Sequence, residues 1–430
     1  MTNPALWSAQ AHMPSVIGRQ INVVSGKGAY LTTDTGARLF DATASLWYAN
    51  IGHAREEMAE VAYEQMKTLE AYHVFGRYTN NRAIELSEKL VSMSPIDDPK
   101  VILNSGGSDS IDAALKLVRR YWNQVGCTNK KVIISREHSY HGLHAYGTSV
   151  AGLDYNREGY GSDSLVEGTA RVDKHDVGDF SATIERIGAE NIAAYIAEPV
   201  MGTGGVHPPR EGYFAEIQRL CRVNDILFIA DEVITGFGRT GEMFASTRYQ
   251  LKPDIIVFAK GVTSGYAALG GILVAPRVWQ PFFEKGKNSP IYRHGTTYSG
   301  HLVSSALALK NLEILEREGL VARSAALEQI LANELKSIES HDFVTTTRIG
   351  GFMGCVELSN EISAESVTDR LIEYGFITRP LRGNAIQISP PFITTDKEVR
   401  DLLSAVRVVL DGAKPARSKG SSKVEEKIAR

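Results

Sequence analysis

Ile226-Leu227-Phe228-Ile229-Ala230-Asp231-Glu232-Val233 is an apolar run that stops at two carboxylates. It is long enough for a buried strand and too short for a helix, and its unbroken apolar character suits the inside of a parallel sheet. An ionised Asp231 at the end of such a strand is costly to bury alone, so the sequence predicts a positive group facing it. Further on, Asp254-Ile255-Ile256-Val257-Phe258-Ala259-Lys260-Gly261 repeats the pattern and ends in a lysine. Beyond the carboxyl ends of parallel strands lies the ligand crevice of an open α/β sheet. A lysine there can lose its proton to desolvation and become a nucleophile.

Working outward, the short apolar runs Val101–Leu103, Lys131–Ile134, Ala193–Ala197, Leu227–Ala230, Ile255–Phe258 and Gly271–Val274 alternate with helical periodicity. That alternation predicts βαβ units around a mostly parallel central sheet flanked by helices. Nearer the start, Tyr30-Leu31-Thr32 and Arg38-Leu39-Phe40 flank the turn residues Asp34-Thr35-Gly36, a hairpin pattern. A helical stretch from about Leu302 to Glu318 leads into Gly319. The expected division is residues 1–55 as the N-terminal part of a small domain, 56–324 as a large cofactor-binding domain, and 325–430 as the C-terminal small domain. Past Gly412 the chain is polar and is expected to fray.

Composition narrows the function classes. With 430 residues, 43% apolar and 23% charged, the chain can bury a large core, and a net charge of −3 argues against nucleic acid or anionic membrane as a partner. Cys127, Cys221 and Cys355 are widely spaced and form no CxxC pair, which fits a reducing compartment. The N-terminus lacks a signal-peptide pattern, and a cytoplasmic location is expected.

Lys260 and Asp231 together suit one ring: the amine for an aldehyde carbon, the carboxylate for a protonated pyridine nitrogen on the far side. Alone, they read equally as a solvated strand-end lysine and a helix cap. Asn104-Ser105-Gly106-Gly107-Ser108-Asp109-Ser110 lies between a strand and a helix, where glycines and free amides make a phosphate site or merely a capped helix start. In Glu137-His138-Ser139-Tyr140-His141-Gly142, Tyr140 is placed to lie flat on a ring face, with His141 beside it as a cofactor-binding candidate. His138, His141 and His144 lack the acidic companion of a metal motif, and no metal is expected. Gly236-Phe237-Gly238-Arg239-Thr240-Gly241 satisfies GxGxxG, but no βαβ unit opens at it, so a loop beside the cofactor is expected rather than a dinucleotide turn.

Leu227–Gly241 resembles the LxIxDEVxTGFGRTG signature of the class III pyridoxal 5′-phosphate (PLP)-dependent aminotransferases, and Ala259-Lys260-Gly261 stands in the expected place after it. Over nearly its whole length the chain resembles their ω-amino-acid:pyruvate, or ω-transaminase, branch. The resemblance implies fold type I, a homodimer with shared active sites (tetramer possible), and ping-pong transfer from an amine or ω-amino acid to a 2-oxo acid through pyridoxamine phosphate. It makes Lys260 the covalent Schiff-base residue and Asp231 the pyridine-nitrogen partner. Gly107 and Ser108 match the phosphate loop, Tyr140 the stacking aromatic, Val233 the opposite ring face, and Glu198 an acidic residue near the cofactor hydroxyl. Thr297 matches a threonine that reaches the phosphate from the neighbouring subunit. For substrate, the resemblance points to Trp47 as an aromatic wall, Arg379 as a mobile carboxylate-binding arginine, and Arg77 as an arginine contributed across the interface.

Departures from the family pattern fall around the substrate pocket: Val74, Ala268, Thr296 and Leu302 replace common residues, and Arg382 is an added residue after Arg379-Pro380-Leu381. The same lysine chemistry would also serve a PLP lyase eliminating a β-leaving group such as phosphate, an aminomutase or a racemase. A non-catalytic binding protein on the scaffold is disfavoured because Lys260 and Asp231 are both present.

Overall fold

A computed structural model describes residues 5–285 and 290–413; the tail expected to fray lies, from residue 414 onward, outside the described residues. Seven strands build the central sheet: β1 (Lys100–Asn104), β2 (Val132–Arg136), β3 (Thr169–Val172), β4 (Ile192–Ala197), β5 (Leu227–Asp231), β6 (Ile255–Phe258) and β7 (Gly270–Val274). Their spatial order is β1-β7-β6-β5-β4-β2-β3. From β6 to β3 all pairings are parallel, whereas β7 runs antiparallel to both of its neighbours. Every residue of β4, β5, β6 and β7 is buried, which explains their unbroken apolar runs. Gly271 lets β7 fit beside β1, since a Cβ there would come within 2.5 Å of the Ile102 carbonyl.

The helix Gly107–Gln124 lies on one face of the sheet and buries Ile111, Leu115, Val118 and Trp122 among Ile196, Ile229, Val257 and Ile272. At about 1.5–3 kcal/mol per fully buried aliphatic or aromatic side chain, this seam holds the helix start against the strand ends. Its first turn is thereby fixed beside Asp231 and Lys260.

Two small sheets flank the large one. Val23–Lys27, Tyr30–Thr33 and Arg38–Asp41 form an antiparallel meander whose outer strand pairs in parallel with Phe376–Ile377. The other is antiparallel and contains Val344–Ile349, Gly354–Leu358, Pro380–Leu381 and Ala385–Ile388. Thus the two ends of the chain share one sheet.

The glycine-rich run does not border the cavity described below, as the sequence suggests; it fastens the large sheet to the C-terminal segment. A Cβ on Gly241 would come within 3.0 Å of Ala325, and one on Gly238 within 2.9 Å of Phe392. Between them, fully buried Arg239 donates to the carbonyls of Phe352 (3.0 Å) and Pro390 (2.9 Å) and to Asn50 Oδ1 (2.8 Å). Burial pulls its guanidinium down to about 9, partly opposed by Asp41. The close approach and the three neutral acceptors, not phosphate binding, account for Gly-Arg-Thr-Gly here. Among the described residues, no helix is long and apolar enough to cross a membrane.

Candidate functional site

Asp231 closes β5 opposite Val257 of β6, which places Lys260, just past the end of β6, on the neighbouring strand end. Lys260 itself adopts φ +48°, a left-handed conformation that costs a non-glycine residue on the order of 1–3 kcal/mol. Asn311 holds the turn that follows, its Nδ2 donating to the carbonyls of Gly261 (2.8 Å) and Val262 (2.9 Å). Lys260, Asp231, Glu198, Tyr140, His141, Gly107, Ser108 and Val233 all line one cavity of about 220 Å³, together with Ile111, Gly142 and Ile234. Eight residues separated by up to about 150 positions in sequence are therefore brought to one place.

Two side chains bear on the Asp231 carboxylate, His141 and Lys260. His141 Nδ1 lies 2.7 Å from Asp231 Oδ2, both side chains buried, while the Val233 amide donates to Oδ1 at 3.1 Å. Lys260 supplies the positive influence that the sequence predicts near Asp231. Burial lowers its amine to about 8, against the opposing pull of Asp231 and Glu198, and Arg379 adds to the lowering. Glu198 is held by the amides of Tyr140 and Gly202, each at 3.0 Å, and burial raises its carboxyl above the ordinary range. Glu232, next to Asp231 in the sequence signature, serves the fold instead: it accepts from Thr235 Oγ1 and from the amides of Ala245 and Ser246.

Gly107 and Ser108 begin their helix, and the amides of a first turn have no intrahelical acceptors. Ser108 Oγ accepts from the Leu143 amide at 3.1 Å. Gly142, with φ +83°, is required there, because its Cβ would meet Ser108 Oγ at 2.5 Å. Asp109 turns back to accept from the Ser105 amide at 2.9 Å, and Ser105 Oγ lies 3.2 Å from Thr296 Oγ1.

The cavity fits a phosphorylated pyridine aldehyde on structural grounds. Its lining includes a carboxylate, an aromatic and an aliphatic side chain in Tyr140 and Val233, the start of a helix, and an amine lowered by burial. His141 Nε2 is buried without a hydrogen-bond partner, so the pocket retains an unsatisfied polar atom.

The proposed substrate residues lie farther out. Arg379 donates from Nε to Gln387 Oε1 at 2.6 Å, and its guanidinium, lowered by burial, acts electrostatically with Tyr155 and Tyr140. Trp47 is 2% exposed and packs with Val200, Ile234, Met353 and Leu381, touching the cavity wall through Ile234. It follows Ala44 and Ser45, which have positive φ values as well. This strained turn is held by Asp41, which accepts from the Thr43 and Ser45 amides and hydroxyls and from His53 Nε2. Arg77 and Thr297 are exposed and line no part of the cavity in their own chain. Sequence reading passed over Gly142, Ile111 and Ile234; only the glycine's place next to His141 offered a signal.

A family model described as aminotransferase class-III matches residues 13–410. Diaminobutyrate–2-oxoglutarate transaminase of Halomonas elongata is 35% identical, over 89% of this chain and 88% of that protein. Putrescine–pyruvate aminotransferase of Pseudomonas aeruginosa is 33% identical, with 90% of each covered. Among solved structures, a transaminase from the marine bacterium Virgibacillus has a TM-score of 0.89 at 38% identity, covering 95% of this chain and 97% of that one. The ω-transaminase of Pseudomonas jessenii in complex with PMP has a TM-score of 0.90 at 33% identity, with 94% and 96% covered.

Proposed function

The chain belongs to the class-III aminotransferases and is a PLP-dependent transaminase of fold type I, and from that premise we propose the role of each residue in the cavity. The observation that carries the reading is the convergence of Lys260, Asp231 and the Gly107–Ser108 helix start on one cavity. Lys260 would hold the cofactor covalently through its aldehyde carbon, with Asp231 on the pyridine nitrogen and Gly107 and Ser108 on the phosphate. Tyr140 and Val233 would close on the two ring faces. When bound, the cofactor supplies an electron sink for the pair left as a substrate Cα–H bond breaks.

The chain's own residues do the rest. Lys260, once its amine is free, stands ready to take the proton from the substrate Cα. Asp231, fixed by His141 and the Val233 amide, would face the ring nitrogen of the bound cofactor and favour its protonated form. Glu198, anchored by two amides, fixes the strand end beside it. Arg379 would pair with the carboxylate of a 2-oxo acid and withdraw for an uncharged amine. Thr297 of the partner subunit would reach the phosphate, and Arg77 the pocket, in a homodimer. Support for that dimer comes from the exposed Phe75, Ile84 and Ile291, which line a groove of about 880 Å³ together with Gly295.

The experiment is to mix PLP-loaded protein with amines, with and without pyruvate, and follow the cofactor spectrum, ammonia and phosphate. Conversion to the pyridoxamine form, reversed by pyruvate with formation of alanine, is expected; ammonia or phosphate released without an acceptor would move the chain to the lyases.

Two further results are expected. Arg379→Ala is expected to lower kcat/KM for pyruvate by about 10²-fold, the loss of one charge-assisted bidentate contact, while changing that for a hydrophobic amine less than about threefold. Equal losses for both would remove the carboxylate role. PLP capture by the apoenzyme is expected to quicken about tenfold per pH unit below about 8 and level off above it, since only the unprotonated Lys260 amine attacks the aldehyde. A rate constant flat from pH 6 to 9 would separate capture from Lys260.

A further inference from the structure

The strand Ala385–Ile388 carries one polar side chain among apolar ones. Gln387 is fully buried between Ile386 and Ile388, and a buried amide is costly unless both of its ends find partners. Here the two ends reach different parts of the substrate side of the site. Oε1 accepts from Arg379 Nε at 2.6 Å. Nε2 donates to Ser389 Oγ at 2.6 Å and to the Thr43 carbonyl at 3.4 Å, and Ser389 Oγ donates to the same carbonyl at 3.3 Å. This orientation of the amide is forced, because an arginine Nε only donates and the oxygen must face it.

The backbones are joined as well. The Gln387 amide donates to the Arg379 carbonyl at 3.0 Å, Thr378 Oγ1 donates to the Gln387 carbonyl, and the Ser389 amide donates to the Ala42 carbonyl at 2.8 Å. Thr43 stands at the base of the turn that carries Trp47, which Asp41 holds through Thr43 and Ser45. One planar side chain thus bridges Arg379 and the Trp47 turn. Leu381 and Ala385, on the same two strands, pack with Trp47 and with the cavity-lining Ile234.

The chemistry of the bridge follows from the donors it uses. An arginine binds a carboxylate side-on through Nε and one Nη, or end-on through both Nη groups. With Nε given to Gln387, the side-on approach is closed and the end-on fork remains. The acceptor is a neutral amide, so the guanidinium keeps its charge for a ligand. Rotamers fixed against that acceptor in advance are freedom that the arriving acid does not have to remove. A bond to a neutral amide also breaks more readily than a buried ion pair, which suits an arginine that must withdraw.

We propose that Gln387 is the positioning residue of Arg379: its amide oxygen holds Nε so that Nη1 and Nη2 face the carboxylate of the incoming 2-oxo acid, and it releases the guanidinium when an uncharged amine needs the space. The proposal rests on the carboxylate role given to Arg379 above. Gln387 itself lines no part of the cavity and acts only through the arginine.

The test measures two half-reactions of the holoenzyme separately, the pyridoxamine form with pyruvate and the PLP form with a hydrophobic amine. Gln387→Met keeps the length of the side chain and removes its hydrogen bonds. It is expected to raise the pyruvate concentration at half-maximal rate about tenfold, with the maximal rate and the amine half-reaction each within about twofold of wild type. In the Arg379→Ala background the same substitution is expected to change pyruvate less than about twofold, because its effect runs through the arginine. Ser389→Ala keeps Gln387 and removes one of its anchors; the same selective loss is expected at about threefold, and this variant carries the test if Gln387→Met yields no folded holoenzyme. Equal losses toward pyruvate and amine, an unchanged Gln387→Met, or full additivity with Arg379→Ala would overturn the proposal. Failure of the underlying reading looks different: Arg379→Ala would then keep full activity toward pyruvate.

Discussion

Replacing Lys260 with alanine is expected to lower turnover by about 10³- to 10⁴-fold while leaving the cofactor bound. The reason is geometric. Lys260 is the one amine in a cavity whose other polar groups are carboxylates, a histidine, a phenol, a hydroxyl and backbone amides. No other side chain there can both attack an aldehyde and move a Cα proton, and losing a positioned general base costs about 10²–10⁴-fold on its own. Asp231, Tyr140, Val233 and the Gly107–Ser108 amides remain, so non-covalent binding persists. Borohydride treatment followed by peptide mass measurement separates the two effects: wild type should carry the cofactor on the peptide containing residue 260, and the variant should carry none. A variant with normal turnover would sink the assignment of this cavity as the catalytic centre.

Asp231→Asn comes second in size, with an expected fall in kcat of about 10²- to 10³-fold, the range for removing one preorganised electrostatic partner. The amide keeps the shape and can still accept from the Val233 amide, so the change is one of charge rather than packing. It also releases His141, whose Nδ1 now sits 2.7 Å from a carboxylate oxygen. The cofactor absorbance is therefore expected to change along with the rate, because the ring nitrogen loses the anion that keeps its proton in place. Activity within about threefold of wild type, with an unaltered spectrum, would assign Asp231 to the fold alone.

Much of this was legible because the central strands are buried on both faces and so advertise themselves as apolar runs. β4, β5 and β6 were readable for that reason, as were the residues directly after them. β3 escaped notice: Thr169-Ala170-Arg171-Val172 lies at the sheet edge, largely half-exposed, and carries an arginine. The antiparallel direction of β7 leaves no trace in its composition, since a buried strand looks the same in either direction. Lys260 and Asp231 were found because their chemistry is at odds with their apolar surroundings. The Asp231–His141 pair could be anticipated only as an unspecified positive partner, because the two are 90 positions apart and only the fold brings them together. Arg239 shows the reverse case: a motif with a familiar phosphate-binding spacing turns out to hold carbonyls from the far end of the chain.

The parallel pairing of Arg38–Asp41 with Phe376–Ile377 bears on biosynthesis. At roughly 5–20 residues per second, the ribosome needs on the order of 20–70 s after the first of these strands is made before the second exists. Throughout that time the edge of the amino-terminal meander has no native neighbour, although the large sheet between them can already be assembling. A nascent chain with an open strand edge is a substrate for holding chaperones and a hazard for pairing between polysomes. Yield from rapid overexpression would then be limited by how long this one edge stays unprotected, however stable the finished enzyme is.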